Sequence, residues 1–568
     1  MLLFTNVTVF DGTRKLGVRT VSVAGDRIVD LHADPADPAL RGATRIDGQG
    51  ATLLPGLIDA HTHLWAEHAT TQSAVFGVTT ALDMFSPPEL NPAWRIGAPG
   101  IGPVANTRTA GFPATVPGGH GTEYGIGTPA ITSAEQAAAF VTARLADGAD
   151  YIKIICDSVR GSAYSLSPDV IRALVDAAHD QGVLALAHAT IAKDAATAID
   201  AGVDALMHVP VDDMTGLTPA VLVPTLATLR AGFYTDGPDV LSSPGLRGLI
   251  DVDAEDNLSQ TWRIPPNWRY EQVLANVAHA HQRGSRVLAG TDAGMPGTAH
   301  GVSLHHELGL LVDAGLSPVD ALVAATSAPA EVFGLTDRGR IAPGMRADLV
   351  LVQGDPTGHI TDSRRILGVW IGGEQVRHDR WRTRVRERVS ALAQRPAPTG
   401  AIGLISDFAD GTTQTRWGAG WREVTDAVRG GESTAELTVT DEPDVPSGHA
   451  LSVRTSVMPA RGFRFGFAGA EFATTESDVD GVNLRGAAAI EVTLRAEVPT
   501  FVLVSLDTGY PLKQPAVVPV AVTTGYRRYR IRFGEFGAVD RSRVRAVRLT
   551  VAEPECAGFQ LAEIALTA

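Results

Sequence analysis

The stretch Leu53-Leu-Pro-Gly-Leu-Ile-Asp-Ala-His-Thr-His-Leu64 decides how this chain is read. Pro55 and Gly56 punctuate the backbone, and the apolar run after them predicts a buried β-strand. His61 and His63, one residue apart at its end, point to the same side of that strand. Two metal-capable nitrogens are thereby held together at the mouth of a fold. A bare His-x-His pair is weak by itself, because single buried histidines are more often only hydrogen-bonded. Its weight comes from the segments that follow.

Four later segments read as strands and carry residues that can bind or bridge a metal. Ala149-Asp-Tyr-Ile-Lys-Ile-Ile155 places Lys153 inside an apolar run, with Tyr151 and Ile155 on the same face. Val183-Leu-Ala-Leu-Ala-His188 and Ala205-Leu-Met-His208 each end in histidine, and Arg286-Val-Leu-Ala-Gly-Thr-Asp292 ends in aspartate. Helical periodicity separates them, over 167–179 with Ser167 as N-cap before Pro168, and over 192–200. Alternating strands and helices predict an α/β fold with a parallel sheet closed as a (β/α)8 TIM barrel, here over residues 55–338. Functional groups of such barrels stand at the C-terminal strand ends, where His61, His63, His188, His208 and Asp292 all fall.

In this order the set resembles the amidohydrolase superfamily, specifically its binuclear members with a carboxylated bridging lysine. The resemblance runs over roughly residues 1–390. It includes Pro55-Gly-Leu-Ile-Asp-Ala-His-Thr-His63, Gly290-Thr-Asp-Ala-Gly294, Ala324-Ala-Thr-Ser-Ala-Pro-Ala330 and Gly344-Met-Arg-Ala-Asp-Leu-Val-Leu351. Within the superfamily, Gly118-Gly-His-Gly121, Gly148-Ala-Asp-Tyr-Ile-Lys153 and Pro224-Thr-Leu-Ala-Thr228 are similar to imidazolonepropionase-like and Xaa-Pro dipeptidase-like segments. The resemblance implies two divalent ions, with zinc expected first, though His and carboxylate ligands also accept manganese, nickel or iron. His61, His63 and Asp292 would hold one ion, His188 and His208 the other, and a CO2-derived carbamate on Lys153 would bridge them. A protonated lysine (reference pKa about 10.4) is a poor cation ligand, and its charge is costly to bury unpaired.

Two such ions about 3.5–4 Å apart can share a water and lower its pKa toward roughly 7, giving a metal-bridged hydroxide. Asp292 would act as general base and then general acid. His120, in Pro117-Gly-Gly-His-Gly121, is expected to be catalytic and to contact the substrate carbonyl, as a similarly placed histidine does in the dipeptidase-like relatives. Arg108, Arg160 and His300 are candidate substrate contacts, arginine being the natural bidentate partner of a carboxylate. Two loops depart from the relatives: Cys156-Asp-Ser-Val-Arg-Gly161 replaces a Gly-rich turn, and Leu229 stands where a tyrosine is common. Their substrates are therefore not carried over.

The flanks read differently. Residues 1–54 and 339–390 alternate in β fashion, with Gly372-Gly373 a hairpin signal, and the resemblance implies that they pair into a composite β-sandwich. Residues 391–401 read as a Pro-rich linker. Residues 402–568 read as an all-β, jelly-roll-like sandwich, loosely similar to carbohydrate-binding modules or complex-I-intermediate-associated domains. Trp417 and Trp421 there could stack on a glycan but are better read as core.

A net charge of −15 speaks against a nucleic-acid partner, which needs a concentrated basic face. No apolar run approaches a membrane span, and no basic-then-apolar leader is visible. The two cysteines, Cys156 and Cys556, lie far apart, so a cytoplasmic protein without a disulfide framework is expected, with Cys156 a buried thiol facing the helices. The expected function is metal-dependent hydrolysis of a C–N bond in a small amide, peptide-like or cyclic amide compound. A lactone or ester hydrolase and a non-catalytic binder are the alternatives, and a homo-oligomer stays open.

Overall fold

The computed structural model describes residues 1–66, 68–122, 128–159, 161–262, 264, 267–394, 402–417, 420–426, 433–458, 467–474, 481–508, 516–537, 539, 541, 544–552 and 558–568. They fall into two compact units: Met1–His120 with Thr128–Val389, and Ser390–Ala568 together with Gly121 and Thr122.

In the first unit the two flanks meet in one eight-stranded sheet. Leu2–Phe10, Lys15–Ala24, Arg27–Asp30, Thr44–Asp47 and Thr52–Pro55 come from the front, and Leu349–Val352, Ile366–Ile371 and Glu374–Gln375 from the back. Thr52–Pro55 against antiparallel Leu349–Val352 is the seam. Hydrogen bonding makes this one ladder where a composite sandwich was expected. The ladder nevertheless curls: Phe4 and Trp370 sit on strands three steps apart, about 14 Å in a flat sheet, yet their ring centroids are 4.8 Å apart. The curl encloses an apolar cluster that includes Val9, Val23, Leu53 and Leu349. Gly372 and Gly373 turn the last hairpin with φ of 57° and 77°, the left-handed pair a tight two-residue turn requires.

Between the flanks lie parallel strands in two sheets. Leu57–Thr62, Val78–Asp83 and Asn106–Thr109 form one; Ile152–Ile155, Ala185–His188, Ala205–Met207, Val221–Val223 and Arg286–Val287 form the other, each in chain order. Backbone bonds cross both seams, from Asp150 N–H to the Thr109 carbonyl (2.7 Å) and from Ala60 N–H to the Ala289 carbonyl (2.9 Å). The helices Pro168–Asp180 and Ala192–Ala201 lie where periodicity places them. Ser167 occupies the N-cap position, although its hydroxyl makes no capping bond.

Strand alternation sorts the side chains. Ile152, Ile154 and Cys156 pack under the helices with Ile171 and Leu174, while Tyr151 joins an inner cluster with Leu186, Met207 and Leu288. Lys153 shares the Tyr151 face and is therefore directed inward, 3 % exposed. Helix His378–Gln394 spans the division at Val389 and Ser390 and runs four residues into the expected linker. Nothing in Ala391-Leu-Ala-Gln394 breaks a helix, since it holds neither Pro nor Gly.

The second unit is mostly β. Six strands form one antiparallel sheet, among them Thr434–Asp441, His449–Ser456, Ala489–Ala496 and Gly558–Thr567. Five form the other, among them Ala468–Ala473, Thr500–Asp507 and Ala546–Val551. Inward residues of both sheets, such as Val453, Val492, Phe472, Val504 and Leu549, share one core. Trp421 belongs to it, edge-on to Phe472 at 4.8 Å, and Trp417 packs against it; as sugar-stacking platforms both are compromised by that packing. Cys556 lies outside the described residues. No helix among the described residues is long and apolar enough to cross a membrane.

Candidate metal centre and active site

The centre is built where the Leu57–Thr62 strand meets the segment after Arg286–Val287. The N–H groups of Thr291 and Asp292 both donate to the His61 carbonyl, at 3.0 and 2.8 Å. This close approach requires Gly290: a Cβ there would lie 2.8 Å from the His61 Cβ and 2.5 Å from a Val223 methyl. Asp292 then turns at φ 58°, a left-handed backbone uncommon outside glycine. The turn brings its Oδ1 within 3.2 Å of His61 Nε2 and 2.9 Å of His63 Nε2. Ligand atoms of His61, His63 and Asp292 all lie within 4.8 Å of one another, and all three residues are buried.

The second half of the centre adjoins the first through ring contacts. His208 lies 4.8 Å from His61 and 4.5 Å from His188, centroid to centroid, and His120 stacks on His188 at 4.6 Å. His208 Nδ1 is 2.8 Å from Thr225 Oγ1, and His63 Nδ1 is 3.3 Å from the Phe85 carbonyl. In each ring the Nε2 atom is left as the donor toward a cation. Burial holds His61 and His188 well below the usual imidazole range and His208 at about 3, so their rings are neutral, as ligands must be. Burial likewise pushes Lys153 down to about 7, against the pull of Asp292 and Asp83. The Asp292 carboxyl is raised by burial but lowered more by His61 and His63, and ends well below the ordinary range.

A test of fit comes from atoms with no hydrogen-bond partner. His61 Nδ1 and His188 Nε2 are buried without a hydrogen-bond partner, and His61 Nε2 and Asp292 Oδ1, equally buried, have only their close approach to each other and to His63 Nε2. Such groups cost on the order of 1–3 kcal/mol each unless something satisfies them. Neutral imidazoles, a carboxylate and an inward lysine form a donor set of the type that binds divalent transition metals.

Several supporting residues escape a reading of the sequence. Asp59 accepts from the N–H groups of His61 (3.2 Å) and Thr291 (3.0 Å) and from the Thr291 hydroxyl (2.6 Å), tying the two ligand segments together. Burial pushes its carboxyl up to about 7. Asp83 takes the Leu64 N–H and the hydroxyls of Ser86 and Thr109. Glu307, wholly buried and pushed up to about 8 by burial, accepts from the N–H groups of Leu226 and Ala227. It thus fixes the start of helix Leu226–Phe233 beside Thr225, the partner of His208. Asn257 clamps the loop after Asp292 through the carbonyls of Met295 (3.0 Å) and Thr298 (2.6 Å). The capping pattern of Glu307 spans some eighty residues, so local motifs give no sign of it.

The three polar substrate candidates fare differently. Arg108 lies on Asn106–Thr109 and points away from the centre: alternate Thr109 bonds Asp83, while Arg108 pairs with Asp150 at 3.2 Å, half exposed. The charge was legible but its facing was not. Buried His300 directs Nε2 at the His63 carbonyl (2.9 Å) and so braces the backbone of a ligand. Arg160 lies outside the described residues.

The sequence profile of the Amidohydrolase family matches residues 52–376, more than half of the chain. The chain belongs to the amidohydrolase family. It is 40% identical over 107 residues to an adenine deaminase of Ligilactobacillus salivarius, covering 19% of this chain and 17% of that protein. It is 36% identical over 99 residues to an imidazolonepropionase of Streptomyces griseus, covering 16% of this chain and 25% of that one. The chain thus matches a quarter or less of the length of these curated relatives. Among solved structures, a Xaa-Pro dipeptidase with methionine bound in its active site is 21% identical, with a TM-score of 0.51 over 66% of this chain and 99% of that chain. The fold is accordingly the amidohydrolase fold, of TIM-barrel type, with an additional mostly β C-terminal region.

Proposed function

We propose that this chain is a metal-dependent hydrolase that cleaves a C–N bond of an amide, peptide-like or cyclic amide compound. The observation that carries the reading is the convergence of His61, His63, His188, His208 and Asp292, with unpartnered buried donor atoms, on one end of parallel strands. Inward Lys153, as a carbamate, completes a binuclear set. Bonds at both sheet seams support a closed (β/α)8 barrel over residues 55–338, flanked by the composite domain of 1–54 and 339–390 and followed by the sandwich of 402–568. The relatives named for deamination and for dipeptide cleavage favour nitrogen as the leaving atom.

A divalent pair, when bound, polarises the acyl oxygen and supplies a water acidic enough to attack at neutral pH. The residues do the rest. Asp292, ionised, takes the proton of the attacking water and returns it to the leaving nitrogen. His120, stacked on His188, donates to the acyl oxygen as negative charge develops there. Asp59 and His300 hold the backbone at His61 and His63, and Thr225 and Glu307 hold His208, so the donors need no reorganisation during the reaction.

Protein purified with bicarbonate and loaded with zinc is expected to hydrolyse members of an amide and lactam panel, to lose that rate on chelation and to regain it with added zinc. Turnover of matched esters or lactones with none of the amides would transfer the assignment to an ester hydrolase. No metal-dependent turnover of either class would defeat it.

A further inference from the structure

Resting on that reading, we infer that the group beside the scissile bond is aromatic or large and apolar, and that Trp65, Phe85 and Phe112 form the wall on which it packs. The three rings follow the ends of three consecutive parallel strands, Leu57–Thr62, Val78–Asp83 and Asn106–Thr109, the edge where functional loops of this architecture gather. They make a continuous run that starts on a metal ligand. Trp65 stacks on His63 with centroids 5.0 Å apart and planes 29° apart. Phe85 stands edge-on to Trp65 at 5.6 Å and to His63 at 6.3 Å, and Phe112 lies 6.2 Å beyond Phe85.

The polar atoms of this run are engaged internally. Trp65 Nε1 donates to the Phe85 carbonyl at 2.6 Å, and that same carbonyl lies 3.3 Å from His63 Nδ1. What the wall presents is therefore ring surface, and Trp65 and Phe112 are both only partly buried. The two described arginines nearest this run already have carboxylate partners. Arg108 is paired with Asp150, and Arg144, over the Phe112 ring at 5.7 Å, is paired with Asp147. A substrate carboxylate would have to compete with Asp150 or Asp147 for these arginines, whereas a phenyl or branched apolar group would gain offset or edge-on ring contacts.

The test uses two small metal-binding probes that differ in one ring. Affinities of benzohydroxamate and acetohydroxamate are measured by calorimetry on the zinc-reconstituted full chain and on Trp65→Ala, Phe112→Ala and Phe112→Leu. The ratio of the two affinities within each protein cancels any change in metal binding that both probes share. Benzohydroxamate is expected to bind at least tenfold tighter to the wild type, with the ratio falling threefold or more in Phe112→Ala. Phe112→Leu, which keeps bulk without a ring, is expected to lie between; should Trp65→Ala fail to fold, the two Phe112 variants decide. A wild-type ratio near one, or a ratio unchanged in every variant that folds, would overturn the aromatic wall and leave the metal centre standing. Failure of both probes to bind the reconstituted protein would overturn the metal reading, and the wall with it.

Discussion

In the C-terminal unit, buried Glu471 is answered by Arg548 and by Arg422 at 2.8 Å, and the same Arg548 reaches Asp507 at 2.7 Å. In the N-terminal unit, buried Asp292 is answered among the described residues by His61 and His63, at 3.2 and 2.9 Å, with the charge of Lys153 felt from farther off. Guanidinium groups are always charged, so the carboxylates of the sandwich are neutralised permanently. Burial holds His61 neutral and pushes Lys153 down to about 7, so among the described residues no permanent charge is paired with Asp292 and a divalent cation is the natural complement. The comparison teaches where to look for chemistry: a buried carboxylate with its own arginine is structure, and one left to neutral imidazoles is a site.

The comparison breaks most visibly at Asp292. Asp292→Asn is expected to keep most bound metal and to lose more than 100-fold in turnover, in line with general-base contributions of about 10²–10⁴. Steady-state rates and metal content on the same sample check it, and retained turnover would remove Asp292 as proton carrier. Glu471→Gln should behave in the opposite sense. It leaves Arg548 short of one partner and should cost about 2 kcal/mol of C-terminal stability, below the usual figure for breaking a buried pair because Arg548 is partly exposed. Denaturant unfolding reads that loss, and turnover and metal content should not move.

The smallest effect concerns pH. His305 is wholly buried between Ser363 and the Phe76 carbonyl, and burial lowers it to about 4. An unfolded histidine (about 6.5) binds a proton between pH 6.5 and 4 while the folded one does not, so acid favours unfolding over that window and the loss begins as pH drops below 6.5. Between pH 7.5 and 6 this one residue should cost about 1 kcal/mol. His305→Gln, which keeps a donor for Phe76, should flatten the melting curve's dependence on pH by that amount, and an unchanged slope would contradict it.

The candidate residues that the structure brings together were legible because each closes a strand-like segment, and strands end where barrels do chemistry. His61, His63, His188, His208 and Asp292 needed only local pattern and chain order, and the all-β character of residues 402–568 needed only alternation. What stayed hidden depends on register or on distance in sequence. Arg108 looked like a substrate contact until the pairing of Asn106–Thr109 showed its side chain beside Asp150. Asp59 sat unread inside the opening motif because its partner, Thr291, is 232 residues away. The curled eight-stranded ladder was expected as a sandwich because alternation reveals a buried face and not which edges bond.

The central claim is a binuclear centre bridged through Lys153, and elemental analysis of protein prepared with bicarbonate and without chelator tests it most directly. About two divalent ions per wild-type chain are expected and fewer in Lys153→Ala, with small carboxylic acids restoring part of the loss. Full occupancy in Lys153→Ala without any additive would contradict the bridge, and a wild-type chain that holds no metal after reconstitution would contradict the centre itself.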